Sequence, residues 1–131
     1  MLKMNVCASV FIGVLIMTMN AVYADQSNPH QTVERFLQAL KQGDIETIGK
    51  LIDGDYYRKN KKQIDNNPTY SDFLKRYYQN SEFRIVGTVW NKASVFTRVE
   101  KSDNGNITSF STFRLEKDSN NIWKIMDEKL E

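Results

Sequence analysis

Hydrophobic residues in the first half of the chain recur with the period of an α-helix. The first apolar stripe comprises Val33, Phe36, Leu37 and Leu40. Asn28 before Pro29 is typical of a helix start, and Gly43 of a helix end. A second stripe comprises Ile45, Ile48, Leu51 and Ile52. Asp44 can cap this second helix and Gly54 can close it, so two consecutive helices are predicted.

The next segment, 55–70, has no clear period and is left unassigned between helix and loop. Asn66-Asn67-Pro68 interrupts any regular structure there. Ser71 or Asp72 can then cap a third, short helix. Its predicted core-facing side comprises Phe73, Leu74 and Tyr77.

From Glu82 onward the hydrophobic period changes from helical to alternating. The predicted strands are Glu82–Trp90, Ser94–Ser102, Asn106–Asp118 and Ile122–Lys129. Short segments of mostly turn-forming residues separate them, which favours an antiparallel meander. Helices followed by strands predict an α+β fold, in which the N-terminal helices pack on one face of a four-stranded antiparallel sheet.

The turn at Asp103–Gly105 sets the register of the central strands. An Asn-Gly two-residue hairpin would place Val99 opposite Phe110. A three-residue turn would instead place Val99 opposite Ser109, and a slip of one residue exchanges the two faces of a strand. We favour the three-residue turn because it produces one cleaner apolar face.

That register divides the sheet into two faces of different character. The predicted inner face comprises Phe83, Ile85, Val89, Val95, Val99, Phe113, Leu115, Trp123 and Ile125. The predicted outer face comprises Arg84, Val86, Trp90, Phe96, Arg98, Phe110, Thr112 and Arg114. Aromatic residues beside arginines are enriched in interfaces, so Arg84, Trp90, Phe96, Arg98, Phe110 and Arg114 form a predicted interface with a second copy or an envelope protein. The alternative is a set of scattered surface aromatics covered by arginine stacking.

The N-terminus has the pattern of a secretory signal peptide. Lys3 precedes an uncharged stretch at Val6–Met19, and Val22 and Ala24 have the spacing of a cleavage site after Ala24. Cleavage would give a signal peptide at 1–24 and an α+β domain at 25–131, and would predict a periplasmic or secreted protein. The alternative is an uncleaved membrane anchor over residues 6–24, which would be the protein's membrane contact.

Composition argues against disulfide bonds, nucleic-acid binding and metal sites in this protein. The only cysteine, Cys7, precedes the predicted cleavage site, so no disulfide framework is expected. The chain has 18 Lys and Arg against 16 Asp and Glu, a balance that argues against nucleic-acid binding. A single histidine, His30, and no cysteine in the predicted domain make a zinc site improbable, and we predict neither a metal nor a cofactor.

The chain resembles the nuclear transport factor 2-like superfamily, the cystatin-like cone fold. The similarity rests on the opening helix from Pro29 to Gly43-Asp44, on the order of helices before meander, and on the closing segments 113–117 and 122–125. It implies a sheet curved around the first helix, with a pocket between sheet and helices. Because this fold hosts isomerases, dehydratases, binding modules and assembly domains, it does not by itself assign a function.

Enzymes of the superfamily often place a carboxylate and a tyrosine in the cone, where they act as base and oxyanion donor. The residues at the corresponding rough position are Asp53, Asp55, Tyr56 and Tyr57. The alternative is that both acids flank the Gly54 turn in solvent. His30 lies in the first turn of the first helix, where we expect exposure rather than catalysis.

Aromatic residues of the domain suit an apolar ligand pocket. The candidate ligand-binding residues are Phe36, Tyr57, Phe73, Tyr77, Phe113 and Trp123. Simple core packing is the alternative. The basic run Arg58–Lys62 is expected to be a solvated surface rather than a site for acidic partners.

These observations favour an exported, non-catalytic domain that binds a partner protein or a small apolar ligand. Two alternatives stay open: a cone-type isomerase or dehydratase, and a membrane-anchored domain of an envelope assembly.

Overall fold

The computed structural model describes residues 28–131, so the predicted signal peptide, its cleavage site and Cys7 lie outside the described residues. The helices are α1 (Pro29–Gln42), α2 (Ile45–Leu51), α3 (Gly54–Asn66) and α4 (Tyr70–Tyr78). The strands are β1 (Ser81–Asn91), β2 (Ser94–Asp103), β3 (Asn106–Lys117) and β4 (Trp123–Leu130). The predicted α+β fold, helices on one antiparallel sheet, is confirmed.

The first helix begins and ends where the sequence predicts, and the second begins where predicted. The Asn28 side chain accepts a hydrogen bond from the His30 backbone N–H at 2.9 Å, and Pro29 is the first helical residue. Gly43 ends α1 in the left-handed region, at φ 66°. Asp44 caps α2 by accepting from the Thr47 N–H at 3.1 Å.

The segment left unassigned between residues 55 and 70 forms helix α3. Asp53 caps it and accepts from the Gly54 N–H at 2.8 Å. Gly54 therefore begins α3 rather than closing α2. The third predicted helix is α4, and Thr69 rather than Ser71 or Asp72 occupies its cap position.

The four strands form one open sheet in the order β1-β2-β3-β4, with β1 and β4 at its edges. Three strands each contain one residue without a partner across the ladder: Val86 in β1, Thr108 in β3 and Met126 in β4. Such bulges bend a strand and increase its twist. Each bulge also exchanges the two faces for the residues beyond it.

The predicted three-residue turn at Asp103–Gly105 is wrong. Asp103 pairs with Asn106 across a two-residue Asn-Gly turn, and the bulge at Thr108 then moves the pairing, so that Val99 lies opposite Ser111. This differs by two residues from the predicted partner, Ser109. Since side chains alternate with period two, the predicted faces of β2 and β3 survive the error.

The core lies between α1 and the inner face of the sheet. Its buried hydrophobic residues are Val33, Phe36, Leu37, Ala39, Ile48, Leu51, Ile52, Leu74, Val95, Val99, Phe113, Leu115, Trp123 and Ile125. Phe36 packs edge-on against Phe113 with ring centroids 5.7 Å apart, which joins α1 to the middle of β3. None of the helices within residues 28–131 has the length and apolar character needed to cross a membrane.

Candidate functional site

A half-open cavity of about 470 Å³ lies beside this core, between α1, α4 and the inner face of the sheet. It occupies the end of the sheet where β2 finishes and β3 begins. Its apolar floor is formed by Leu37, Leu40, Phe83, Val99 and Phe113. Tyr77 and Leu130, both more than half exposed, mark its open side. The volume is typical of a site for a small molecule.

Polar groups form the rim of this cavity. They include Tyr78, Lys101, Ser109, Ser111 and Glu128. The serines come from alternate positions of β3 and lie on the same inner face as Phe113. An apolar floor with a few converging polar groups is the usual composition of a small-molecule site.

Glu128 is the acidic group of the rim. The Tyr56 hydroxyl, from α3, donates a hydrogen bond to Glu128 Oε1 at 2.9 Å. Burial, followed by the nearby Glu128 charge, raises the pKa of both Tyr56 and Tyr78 above the usual tyrosine value. Both phenols are therefore neutral donors at physiological pH.

Lys101 is the basic group of the rim, and its charge is already compensated. Its Nζ lies 3.1 Å from Asp103 Oδ2 and over the rings of Tyr77 and Tyr78, 5.2 and 5.8 Å from their centroids. Hydrogen bonds from Ser81 at 2.5 Å and then from Thr108 lower the pKa of Asp103 to about 2. This carboxylate is thus charged at neutral pH and neutralises Lys101.

Of the predicted ligand-binding residues, only Tyr77 and Phe113 line the cavity. Phe36 is buried beneath the floor, and Trp123 is buried at the opposite end of the sheet. Phe73 lies outside the cavity.

Tyr57, from α3, lines a separate shallow groove of about 350 Å³. The expectation that one pocket contains all six aromatics is therefore wrong. The prediction that the Phe73–Tyr77 side of α4 faces the core is also wrong except for Leu74. Phe73 and Tyr77 are 44% and 56% exposed because they stack along the helix flank, with ring centroids 5.5 Å apart.

The structure separates the predicted catalytic residues. Asp53 is used as the exposed cap of α3, and Asp55 pairs with Arg58 on the outer side of that helix. Tyr57 also lies outside the cavity, whereas the Tyr56 hydroxyl donates to Glu128, a carboxylate that lines it. The acid that lines the cavity is Glu128, which simple alternation along β4 would place on the outer face with Met126 and Lys124. Only the unpaired residue at Met126 brings Glu128 inward, and no sequence signal marks that bulge.

The predicted interface face also needs one correction. Beyond the Val86 bulge, Trp90 pairs with Val95 and lies on the inner face, where it contacts Trp123 at 5.6 Å between ring centroids. Val89 moves to the outer face opposite Phe96 and is 63% exposed. The placement of Trp90 on the outer face and of Val89 in the core is therefore wrong.

Phe96 and Phe110 do lie on the outer face, with the three predicted arginines. The Arg98 guanidinium carbon lies 4.1 Å from the centroid of the Phe110 ring. Each arginine has a carboxylate partner within the chain: the pairs are Arg84 with Glu100, Arg98 with Glu131, and Arg114 with Glu116. The face is an ion-pair network over two half-buried rings, and burial of this face against a partner remains a prediction.

Two further predicted features lie on the exposed surface. His30 is exposed, and its Nε2 lies 3.1 Å from Glu34 Oε1, one helical turn away. The basic run Arg58–Lys62 lies along α3, where Lys61 pairs with Asp65 at 3.1 Å. Within residues 28–131, no cluster of three or more acidic, histidine or cysteine side chains is arranged to hold a metal ion.

No protein-family model and no curated protein matches this sequence. Two solved structures are similar in fold. The first is a DUF4783 family protein from Bacteroides ovatus, at 12% identity and a TM-score of 0.47 over 73% of this chain and 90% of that one. The second is a nuclear transport factor 2-like protein of unknown function from Cytophaga hutchinsonii, at 10% identity and a TM-score of 0.45 over 81% of this chain and 92% of that one. Neither similarity assigns an activity to this chain.

Proposed function

We propose that this is an exported, non-catalytic domain that binds a small ligand with an apolar body in the cavity between α1, α4 and the sheet. The observation that supports the proposal is the half-open space of about 470 Å³ beside a core that is otherwise closely packed. Its apolar floor would cover the body of a ligand, while Ser109, Ser111 and Glu128 would orient a polar end.

Core residues form the wall of the cavity, which favours ligand binding without a large rearrangement of the protein. Phe113 and Val99 are 2% exposed and belong to the two central strands of the sheet. Leu37, 6% exposed, is anchored by the packing of α1 on the core. A preformed site reduces the entropy that a ligand must overcome on binding.

A cone-type isomerase or dehydratase is the second candidate, and one observation favours it: a carboxylate, Glu128, does line the cavity with a tyrosine in contact. In such an enzyme Glu128 would replace the predicted Asp53 or Asp55 as the base. Glu128 is an exposed carboxylate, and its tyrosine partner already donates to it rather than to a substrate, so we favour binding.

The binding proposal is tested by titrating 1-octanol into the purified full chain while recording backbone amide NMR shifts. We expect saturable shifts at cavity residues such as Ser109 and Ser111. Ser111→Phe places a ring in the cavity and should abolish these shifts. Thr112→Phe, the next residue of β3 but on the outer face, is the matched control and should leave them unchanged.

Absence of saturable shifts in the unmodified chain, with octanol and with charged probes of the same length, would refute the proposal. Equal binding to both phenylalanine variants would place the ligand outside the cavity, with the same consequence.

A further inference from the structure

Building on the proposed function, we infer that the ligand of this cavity is an amphiphilic amine: an ammonium cation placed at Glu128, attached to an apolar body that lies on the floor. The inference concerns the chemical class of the ligand and fails separately from the binding proposal.

The first argument for a cationic ligand is the balance of charge in the cavity. Among the described residues, Lys101 and Glu128 are the only charged ones that line it. Lys101 already has a partner in Asp103, whereas no ion pair among residues 28–131 includes Glu128. The Tyr56 hydroxyl that contacts Glu128 is neutral. The rim therefore presents one uncompensated negative charge, which favours a cation.

The aromatic wall supports the same ligand class. Tyr77 and Tyr78 meet edge-on with centroids 4.8 Å apart, and the Lys101 ammonium lies over both rings. These rings thus already stabilise an ammonium group through their negative faces. Tyr78 and Glu128 line the same cavity, so a ligand ammonium at Glu128 would share that cavity with the Tyr78 ring.

A ligand anion is disfavoured by the same contacts. An anion at Lys101 would share the ammonium with Asp103, 3.1 Å from its Nζ, and would be repelled by that carboxylate, which Ser81 and Thr108 hold in place. The anion would also face Glu128. Neither cost applies to an ammonium ion, while an uncharged ligand gains nothing from Glu128 beyond a hydrogen bond.

The test compares three probes of equal length: octylammonium, 1-octanol and octanoate. Each is titrated into the purified full chain at neutral pH and low salt, and dissociation constants are measured by calorimetry or NMR. We expect octylammonium to bind roughly three- to five-fold more tightly than octanol, the range of a partly exposed ion pair. Octanoate should bind most weakly.

Two substitutions on β4 locate the charge that is responsible. Glu128→Gln removes the charge while keeping size and the Tyr56 contact, and should reduce octylammonium binding to the level of octanol. Asp127→Asn is the matched control: it makes the same charge change one residue away, on the outer face, and should preserve the preference.

Octanol or octanoate binding as tightly as octylammonium in the unmodified chain would overturn the inference while leaving the binding proposal intact. An ammonium preference that persists in Glu128→Gln, or disappears in Asp127→Asn, would overturn it too. If no probe binds, the binding proposal itself fails. Because the three-probe comparison uses the unmodified chain, it remains decisive if a variant does not fold.

Discussion

The junction between α1 and α4 allows a sharp test of the packing described above. Gly43 ends α1 at φ 66°, and its carbonyl accepts a hydrogen bond from the Ser71 hydroxyl at 2.6 Å. A methyl group added there would fall well inside van der Waals contact with the Ser71 carbonyl oxygen, 2.8 Å from its hydroxyl and 3.0 Å from Lys75 Cγ. Gly43→Ala therefore combines backbone strain with a steric clash against α4.

The magnitude follows from two separable contributions. A non-glycine residue in the left-handed region costs roughly 1–2 kcal/mol. Displacing a packed backbone costs a further 1–3 kcal/mol or so. We expect Gly43→Ala to lower the free energy of unfolding by about 2–5 kcal/mol, which for a domain of this size is a fall in Tm on the order of 10 °C or more.

Two other glycines supply matched controls. Gly105, at φ 84°, has open space where a methyl group would be added, so Gly105→Ala should show the strain alone, about 1–2 kcal/mol. Gly49 lies within α2 with nothing within 4 Å, so Gly49→Ala should be neutral or stabilising by up to about 1 kcal/mol.

The assay is urea unfolding at equilibrium, followed by the fluorescence of the contacting pair Trp90 and Trp123. The reasoning predicts the order Gly43→Ala, then Gly105→Ala, then Gly49→Ala, from most to least destabilised. If Gly43→Ala costs no more than Gly105→Ala, α4 is not packed against the end of α1 as described.

Two further predictions concern pH and processing. Because the native pKa of Asp103 is lowered to about 2 from 3.8, this carboxylate should stabilise the fold fully above about pH 4 and lose that contribution as the pH falls toward 2. Asp103→Asn should therefore be less stable than the parent protein at pH 6. The difference between the two proteins, measured by urea unfolding, should shrink at lower pH. A constant difference across that range would contradict the assigned hydrogen bonds. If residues 1–24 are a signal peptide, the mass of the protein recovered after export should correspond to a chain that begins at Asp25, whereas an intact N-terminus would favour the anchored alternative.

The sequence alone was sufficient for both ends of α1, for the start of α2 and for the change to strands. These features depend on neighbours in the chain: Asn28 reaches the N–H of His30, and the backbone N–H of Gly43 donates to the Leu40 carbonyl of its own helix. Helix α3 was not predicted because it buries no residue fully, so its sequence lacks an apolar stripe. Its stability depends instead on contacts such as that of Tyr56 with Glu128 on β4.

Tertiary structure decided which side chains form the candidate site. Alternation along a strand predicts its faces correctly only until a bulge adds one residue, and the bulges at Val86, Thr108 and Met126 reflect how the whole sheet curves. The bulge at Val86 places Trp90 on the inner face, and the bulge at Met126 places Glu128 in the lining of the cavity. The hydrophobic pattern therefore determined that a sheet covers α1, while sheet curvature, a property of all four strands together, determined what that sheet presents to a ligand.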